Sequence, residues 1–366
     1  MYSNVKKFGA VGDGSTNDTL AIKEAIKNAV DETGVVYFPP GVYMIEPMEL
    51  PSHITLMGHS SWSYMGSRKD ENGNSLDPGY EGRTIIRPVH GEARAMFDLD
   101  GKCGTRILGL TLDGMYKGTQ MHGIYTHNIG IEQHICVEDC LIQNFTGSGI
   151  RLDKVWVFSI RRNLIKNNRE HGVDCSSGYD GWMIDNQLTA NTGCGLYAGG
   201  KPNVWTGMAT VMVTANRIEW NREAGIKIFD SNTMQFTGNS IDHNFGPGIY
   251  MDNLMSGTVS GNVIRSSAID LEDEYSCQIY MKNCKGVAIT GNSLWGWFNR
   301  KEYNLTKATP YYNFTIKENV DCTITSNACY EGCGRDNILD LGDNKNMAIS
   351  DNMASYPDVE VYGLTK

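Results

Sequence analysis

The strongest constraint on this chain is a short phrase of residues that it repeats. Gly149-Ile150-Arg151-Leu152-Asp153 leads into Phe158-Ser159-Ile160-Arg161-Arg162-Asn163, and Gly172-Val173-Asp174-Cys175-Ser176 leads into Trp182-Met183-Ile184-Asp185-Asn186. The phrase returns at Gly225-Ile226-Lys227-Ile228 and Gly248-Ile249-Tyr250-Met251, and in weaker form at Gln278-Ile279-Tyr280-Met281. Its asparagines are Asn163, Asn186, Asn216, Asn239, Asn262, Asn292, Asn327 and Asn352, so the successive steps are 23, 30, 23, 23, 30, 35 and 25. A minimum step with occasional additions marks a solenoid whose loops vary in length.

Within each copy apolar residues fall at every second position, and Gly, Asn or Ser breaks the run. No copy carries the long 3.6-period pattern of a crossover helix. Strands that repeat without helices stack on their equivalents in the next copy, which predicts an all-β fold, a parallel β-helix of about ten coils. Asparagine suits the recurring turn because it tolerates left-handed backbone and can form an amide ladder when stacked.

A solenoid grows by adding coils, so 366 residues are expected to form a single β-helix domain over 1–366. The formal charge of −10, with no basic run, argues against a nucleic-acid partner. No stretch is apolar and long enough to span a membrane. Met1 to Lys7 lacks the apolar core of a signal peptide, which tilts the expected location towards the cytoplasm; removal of a leader would leave it unknown. The ten cysteines include the pairs Cys136/Cys140 and Cys329/Cys333, but no second pair or nearby His completes a zinc pattern. They read as small buried hydrophobes in a reduced compartment, with Cys140 in the place of a ladder asparagine.

The opening, Val5-Lys6-Lys7-Phe8-Gly9-Ala10-Val11-Gly12-Asp13-Gly14, precedes Thr16-Asn17-Asp18-Thr19. Ala21, Ile22, Ala25, Ile26, Ala29 and Val30 then follow at helical spacing, with Asn17 to Thr19 as N-cap candidates. Gly34 to Tyr43 reads as the first strand and turn, so residues 1–45 form a cap whose short helix, Thr19 to Val30, protects the open end of the solenoid. This opening resembles the pectate-lyase-like superfamily of right-handed β-helices, especially rhamnogalacturonase-related proteins, phage tailspikes and mannuronan C5-epimerase modules. The resemblance covers almost the whole chain and implies the hand of the helix. It leaves the chemistry open, because hydrolases, lyases, epimerases and fructan-acting transferases share the fold.

The superfamily also implies a substrate groove on the outer face of one parallel sheet, and the Gly-Ile-x-Ile-x strands match that sheet. Alternation turns Ile150, Leu152 and their equivalents inward. One outward column then reads Asp98, Tyr125, Arg151, Asp174, Tyr197, Lys227, Tyr250 and Tyr280. Its neighbour reads Asp100, His127, Asp153, Ser176, Gly199, Phe229, Asp252 and Lys282. Tyr125, Tyr197, Lys227, Tyr250, Asp252 and Tyr280 are therefore the expected sugar-binding strip. Insertions at 60–82 (with Trp62, Tyr64 and Tyr80), 266–276 (with Asp270 and Tyr275) and 295–312 are expected to line it. The last of these brings Trp295, Trp297 and Tyr303, and a shorter insertion brings Trp205.

Stacked strands lie about 4.8 Å apart and outward neighbours about 6.7 Å apart, so Asp153 and Asp174 fall roughly 8 Å apart. That matches the roughly 6.5–9.5 Å of an inverting glycosidase, with Asp153 beside His127 as acid and Asp174 beside Arg151 as base. The favoured expectation is a glycoside hydrolase or glycosyl-transferring enzyme on a poly- or oligosaccharide, without cofactor. Two alternatives stay open. One is a polysaccharide lyase or uronate C5-epimerase, where Asp98 and Asp100 could bind Ca²⁺ and Arg151 or Lys227 serve as base. The epimerase pattern Tyr-Gly-x-Asp-x-His survives here only as Asp174 in His171-Gly172-Val173-Asp174-Cys175-Ser176. The other alternative is a non-catalytic glycan-binding or spike module, for which a homotrimer is the expected assembly.

Overall fold

The computed structural model describes residues 2–60, 71–72, 82–127, 132–199, 207–269, 271–296, 298 and 307–365. They group into two compact units, Met1–Arg151 with Val155–Arg169, and Leu152–Lys154 with Glu170–Lys366. Each is built of short parallel strands stacked in register on their equivalents one turn away. The fold is an all-β parallel β-solenoid of about 12 turns, rather than ten, with one short helix near the N-terminus.

In the first unit the helix spans Thr19–Asn28, and a wider turn, Ala29–Thr33, carries the chain to Gly34. Its apolar face, Ile22, Ala25 and Ile26, is buried. The N-terminal polar residues divide their work. Asn17 Oδ1 accepts from the Thr19 amide at 3.1 Å, while Asp18 accepts from the amides of Val11 (2.6 Å) and Gly12 (3.0 Å). Asp18 therefore ties the Val-Gly-Asp-Gly loop to the helix and makes no side-chain cap of its own. Three-residue strands continue the unit, with Thr111, Leu141 and Leu164 in successive register and Leu112 and Ile142 buried between them.

The second unit holds most of the repeat, and its register is the one the alternation predicts. Val173, Leu196, Ile226, Ile249, Ile279 and Phe314 stack as one inward column. All are 1 % exposed or less. Glycine precedes the first inward residue because a Cβ has no room there. At Gly172, Gly195 and Gly225 it would meet the next turn's carbonyl oxygen at 2.7–2.9 Å.

The asparagines form the expected ladder. From Asn216 through Asn239, Asn262, Asn292 and Asn327 to Asn352, each Oδ1 accepts from the backbone and side-chain amides of the asparagine before it, starting with Asn186, at 2.8–3.1 Å. In the first unit Cys140 takes the equivalent place, its amide donating to Asn163 Oδ1 at 2.9 Å. The left-handed backbone expected of the asparagines falls instead on the residue before each, such as Asp185, Ala215, Gly238 and Gly261. The asparagine side chain thus supplies hydrogen bonds, and its neighbour supplies the turn. A second ladder, Asn191, Asn221 and Asn244, runs beside the first.

All ten cysteines are free thiols, nine of them buried and Cys103 half-buried. Burial pushes the Cys329 and Cys333 thiols up to about 12. Among the described residues no helix is long and apolar enough to cross a membrane.

Candidate functional site

The outward column of the second unit is continuous. Asp174 stands in register with Tyr197, Tyr197 with Lys227, Lys227 with Tyr250, and Tyr250 with Tyr280. Beside it run Phe229, Asp252 and Lys282. The strand alternation turns all of these away from the core, so the strip follows directly from the repeat.

Its upper part is an acid–base group. Asp174 is only 5 % exposed. The His171 ring lies face to face on Tyr197, with centroids 4.5 Å apart and planes at 12°. His171 Nδ1 accepts the Cys194 backbone N–H at 2.9 Å, so in the neutral ring the proton sits on Nε2. The Cys194 thiol, pushed well up by burial, donates to Glu223 Oε2 at 3.3 Å. Lys227 Nζ lies 3.8 Å from Glu223 and within 6 Å of the Phe229 and Tyr250 rings. Asp153 is half-buried and accepts a hydrogen bond from Ser176 Oγ at 2.8 Å.

The lower part is aromatic. Tyr250 and Tyr280 stack at 4.8 Å and 3°, and Tyr275 leans over Tyr280 at 5.1 Å. The rings occupy each other's faces, and Tyr280 is left 3 % exposed. Burial, reinforced by Asp252 beside Tyr250 and by Tyr275 beside Tyr280, holds both phenols above their ordinary range. These hydroxyls therefore stay protonated. Asp252 is engaged by Lys282 Nζ (3.3 Å) and Asn283 Nδ2 (3.1 Å).

The first unit carries a different group. Arg94 clasps both oxygens of Asp98, at 2.5 and 3.0 Å, reaches Asp100 at 2.7 Å, and lies 4.2 Å from the centre of Tyr125. His127 Nδ1 is 3.2 Å from Asp100, so within this unit its partner is Asp100. Burial opposes charge on Asp100, but hydrogen bonds from Arg94 and His127 outweigh it and hold the carboxyl below its usual range. Arg151 is half-buried on the strand Ile150–Asp153.

The carboxylates of Asp98 and Asp100, considered above as calcium ligands, are both engaged by the Arg94 guanidinium. Two expectations need correction. Trp295 belongs to the strand Ser293–Trp295 of the other sheet, in register with Arg265 and Tyr330, and so does not face the strip. The described part of 295–312 does not line the strip as a whole. Phe298 and Ala308 pack with Leu364, Val359 and Tyr362 at the C-terminus. Trp62, Tyr64, Tyr80, Trp205, Asp270, Trp297 and Tyr303 lie outside the described residues.

The residues missed from sequence are His171, Cys194 and Glu223, whose donor atoms lie within 4.8 Å of one another. The signal was available, since His171 and Cys194 each immediately precede a repeat glycine and therefore stack. The trio does not suit calcium, which takes six to eight oxygen ligands. It is also poorly set for zinc, because Nδ1 is committed to a backbone N–H and Nε2 carries the proton.

A family profile described as rhamnogalacturonase A/epimerase, pectate lyase-like, matches residues 2–75, and one for a right-handed β-helix region matches residues 200–309. Alginate lyase 7 of Azotobacter vinelandii is 30% identical over 199 residues, which cover 52% of this chain and 21% of that protein. Mannuronan C5-epimerase AlgE2 of the same organism is 29% identical over 197 residues, 51% of this chain and 18% of the relative. The match thus spans about a fifth of these relatives' lengths. In three dimensions the A-module of the A. vinelandii epimerase AlgE6 superposes with a TM-score of 0.68 at 17% identity, covering 98% of this chain and all of the module. The chain is a right-handed parallel β-helix protein of the pectate-lyase-like superfamily.

Proposed function

We propose that this protein modifies a polyuronate by proton transfer at C5, as an epimerase or a lyase, using the strip Asp174, His171, Tyr197 and Lys227. The observation that carries the reading is the acid–base group itself. The His171 ring stacks on Tyr197, whose strand neighbours in register are the buried Asp174 on one turn and Lys227 on the next. Abstraction of a proton next to a carboxylate leaves negative charge spread onto that carboxylate, which a fixed cation stabilises most. Lys227 is placed for that role. Asp174 would accept the C5 proton, and His171 Nε2–H, backed by Tyr197, would return one. Return to C5 from the opposite face inverts the sugar, whereas donation to the departing C4 oxygen breaks the chain and leaves a C4–C5 double bond. The curated relatives favour this chemistry over the hydrolysis expected from the Asp153–Asp174 spacing.

The test is incubation with defined oligomannuronates and oligoguluronates. Nuclear magnetic resonance should detect inverted C5 centres, or ultraviolet absorption should detect unsaturated uronate ends. Products heavier by one water per cleavage, with neither signal, would establish hydrolysis instead.

A further inference from the structure

The outward column of the second unit is open along Tyr197, Lys227 and Tyr250, then abruptly covered. Tyr280 is 3 % exposed and Thr315, its register partner on the next turn, is 0 % exposed. The cover is the segment Leu271–Ser276. Tyr275 lies against both Tyr250 (6.2 Å) and Tyr280 (5.1 Å). Thr315 Oγ1 donates to the Glu274 carbonyl at 2.9 Å, and the Tyr311 and Tyr312 amides donate to Ser276 at 3.0 Å. Glu272 is ion-paired with Lys307. The segment is thus fastened to the sheet across the line a polymer would follow.

Behind it lies a cavity of about 360 Å³, walled by Leu271, Tyr275, Phe229 and Tyr250. That volume suits a small ligand or one end of a larger one. Arg222 and Lys227 supply positive charge at its edge, and Glu223 and Asp273 supply hydroxyl acceptors. Resting on the polyuronate reading above, we propose that this cavity receives the terminal residue of an acidic sugar chain. The segment Leu271–Ser276 then makes the protein act from a chain end rather than along an open groove. Cations for one carboxylate, acceptors for the end hydroxyls and a wall where the next residue would stand are what a chain terminus requires and a mid-chain segment does not.

The test is calorimetric binding of oligomannuronate hexamers that are untagged, bulkily tagged at the reducing end, or bulkily tagged at the non-reducing end. One of the two tags should weaken binding tenfold or more, while the other leaves it unchanged. Tyr275→Ser, and separately a short Gly-Ser replacement of residues 271–275, should each narrow the gap between the tagged ligands. The wild-type comparison decides even where a variant fails to fold. Equal tolerance of both tags by the wild type would overturn end recognition while leaving the polyuronate reading intact. Failure of the untagged hexamer and its guluronate counterpart to bind would overturn both.

Discussion

The replacement Asn239→Ala would probe what holds the turns together. Asn239 Oδ1 accepts from the Asn216 backbone and side-chain amides, both at 3.0 Å. Its Nδ2 donates to the Val213 carbonyl (2.9 Å) and to Asn262 Oδ1 (3.0 Å). Alanine removes all four bonds. Asn216 Nδ2 keeps the Met183 carbonyl at 2.9 Å, and Asn262 Oδ1 keeps the amide of residue 239 at 2.9 Å. The Asn216 backbone N–H loses the acceptor it had, inside a residue only 2 % exposed. An orphaned buried N–H costs about 1–3 kcal/mol and the net loss of the other three bonds about 1 kcal/mol each, so the sum is roughly 4–6 kcal/mol. Urea unfolding followed by circular dichroism would measure it, with Ser240→Ala, at an exposed neighbouring position, as control. Asn352→Ala, at the half-buried last rung, should cost visibly less. A shift below about 0.5 kcal/mol at Asn239 would refute the claim that the ladder is a major source of cohesion.

Asp174→Asn should lower activity on a confirmed substrate by about 10²–10⁴-fold, while Asp153→Asn, whose carboxylate serves Ser176, should be mild; equal losses would restore the carboxylate-pair mechanism. Lys227→Gln should cut kcat/KM by about 10²–10³-fold on a uronate and much less on a neutral glycan, read by steady-state kinetics. Burial disfavours charge on Asp242, but hydrogen bonds from His243 and Arg265 more than compensate and hold its carboxyl below the usual range. A depressed folded value means stability present above the unfolded value of about 3.9 and lost as pH falls through the folded one. Melting of the wild type should therefore drop in that acid window, and Asp242→Asn should show a shallower drop; parallel curves would contradict the assignment.

Much of this molecule was legible because a parallel solenoid translates sequence spacing directly into space. Period-two alternation sets Asp174, Tyr197, Lys227, Tyr250 and Tyr280 on one line, and the ladder steps fix which turns touch. The second ladder was equally written in the chain, five residues after the first at Asn191, Asn221 and Asn244, but its spacing echoes the first and is easily absorbed into it. What spacing does not encode is side-chain torsion. Nothing in the string says that Tyr250 and Tyr280 stack face to face, which denies those faces to a sugar ring. Nor does it say that Arg94, from a loop outside the repeat, turns back onto Asp98 and Asp100. Trp295 was misplaced because an aromatic run resembles a loop, whereas its first member still belongs to a repeat strand.

Proton transfer at C5 can be read out by running the reaction in deuterium oxide. Oligomannuronate treated with the protein should gain deuterium at C5 or acquire a C4–C5 double bond, and Asp174→Asn should abolish whichever appears. Cleavage that adds water, with C5 retaining its original proton and configuration, would contradict the account.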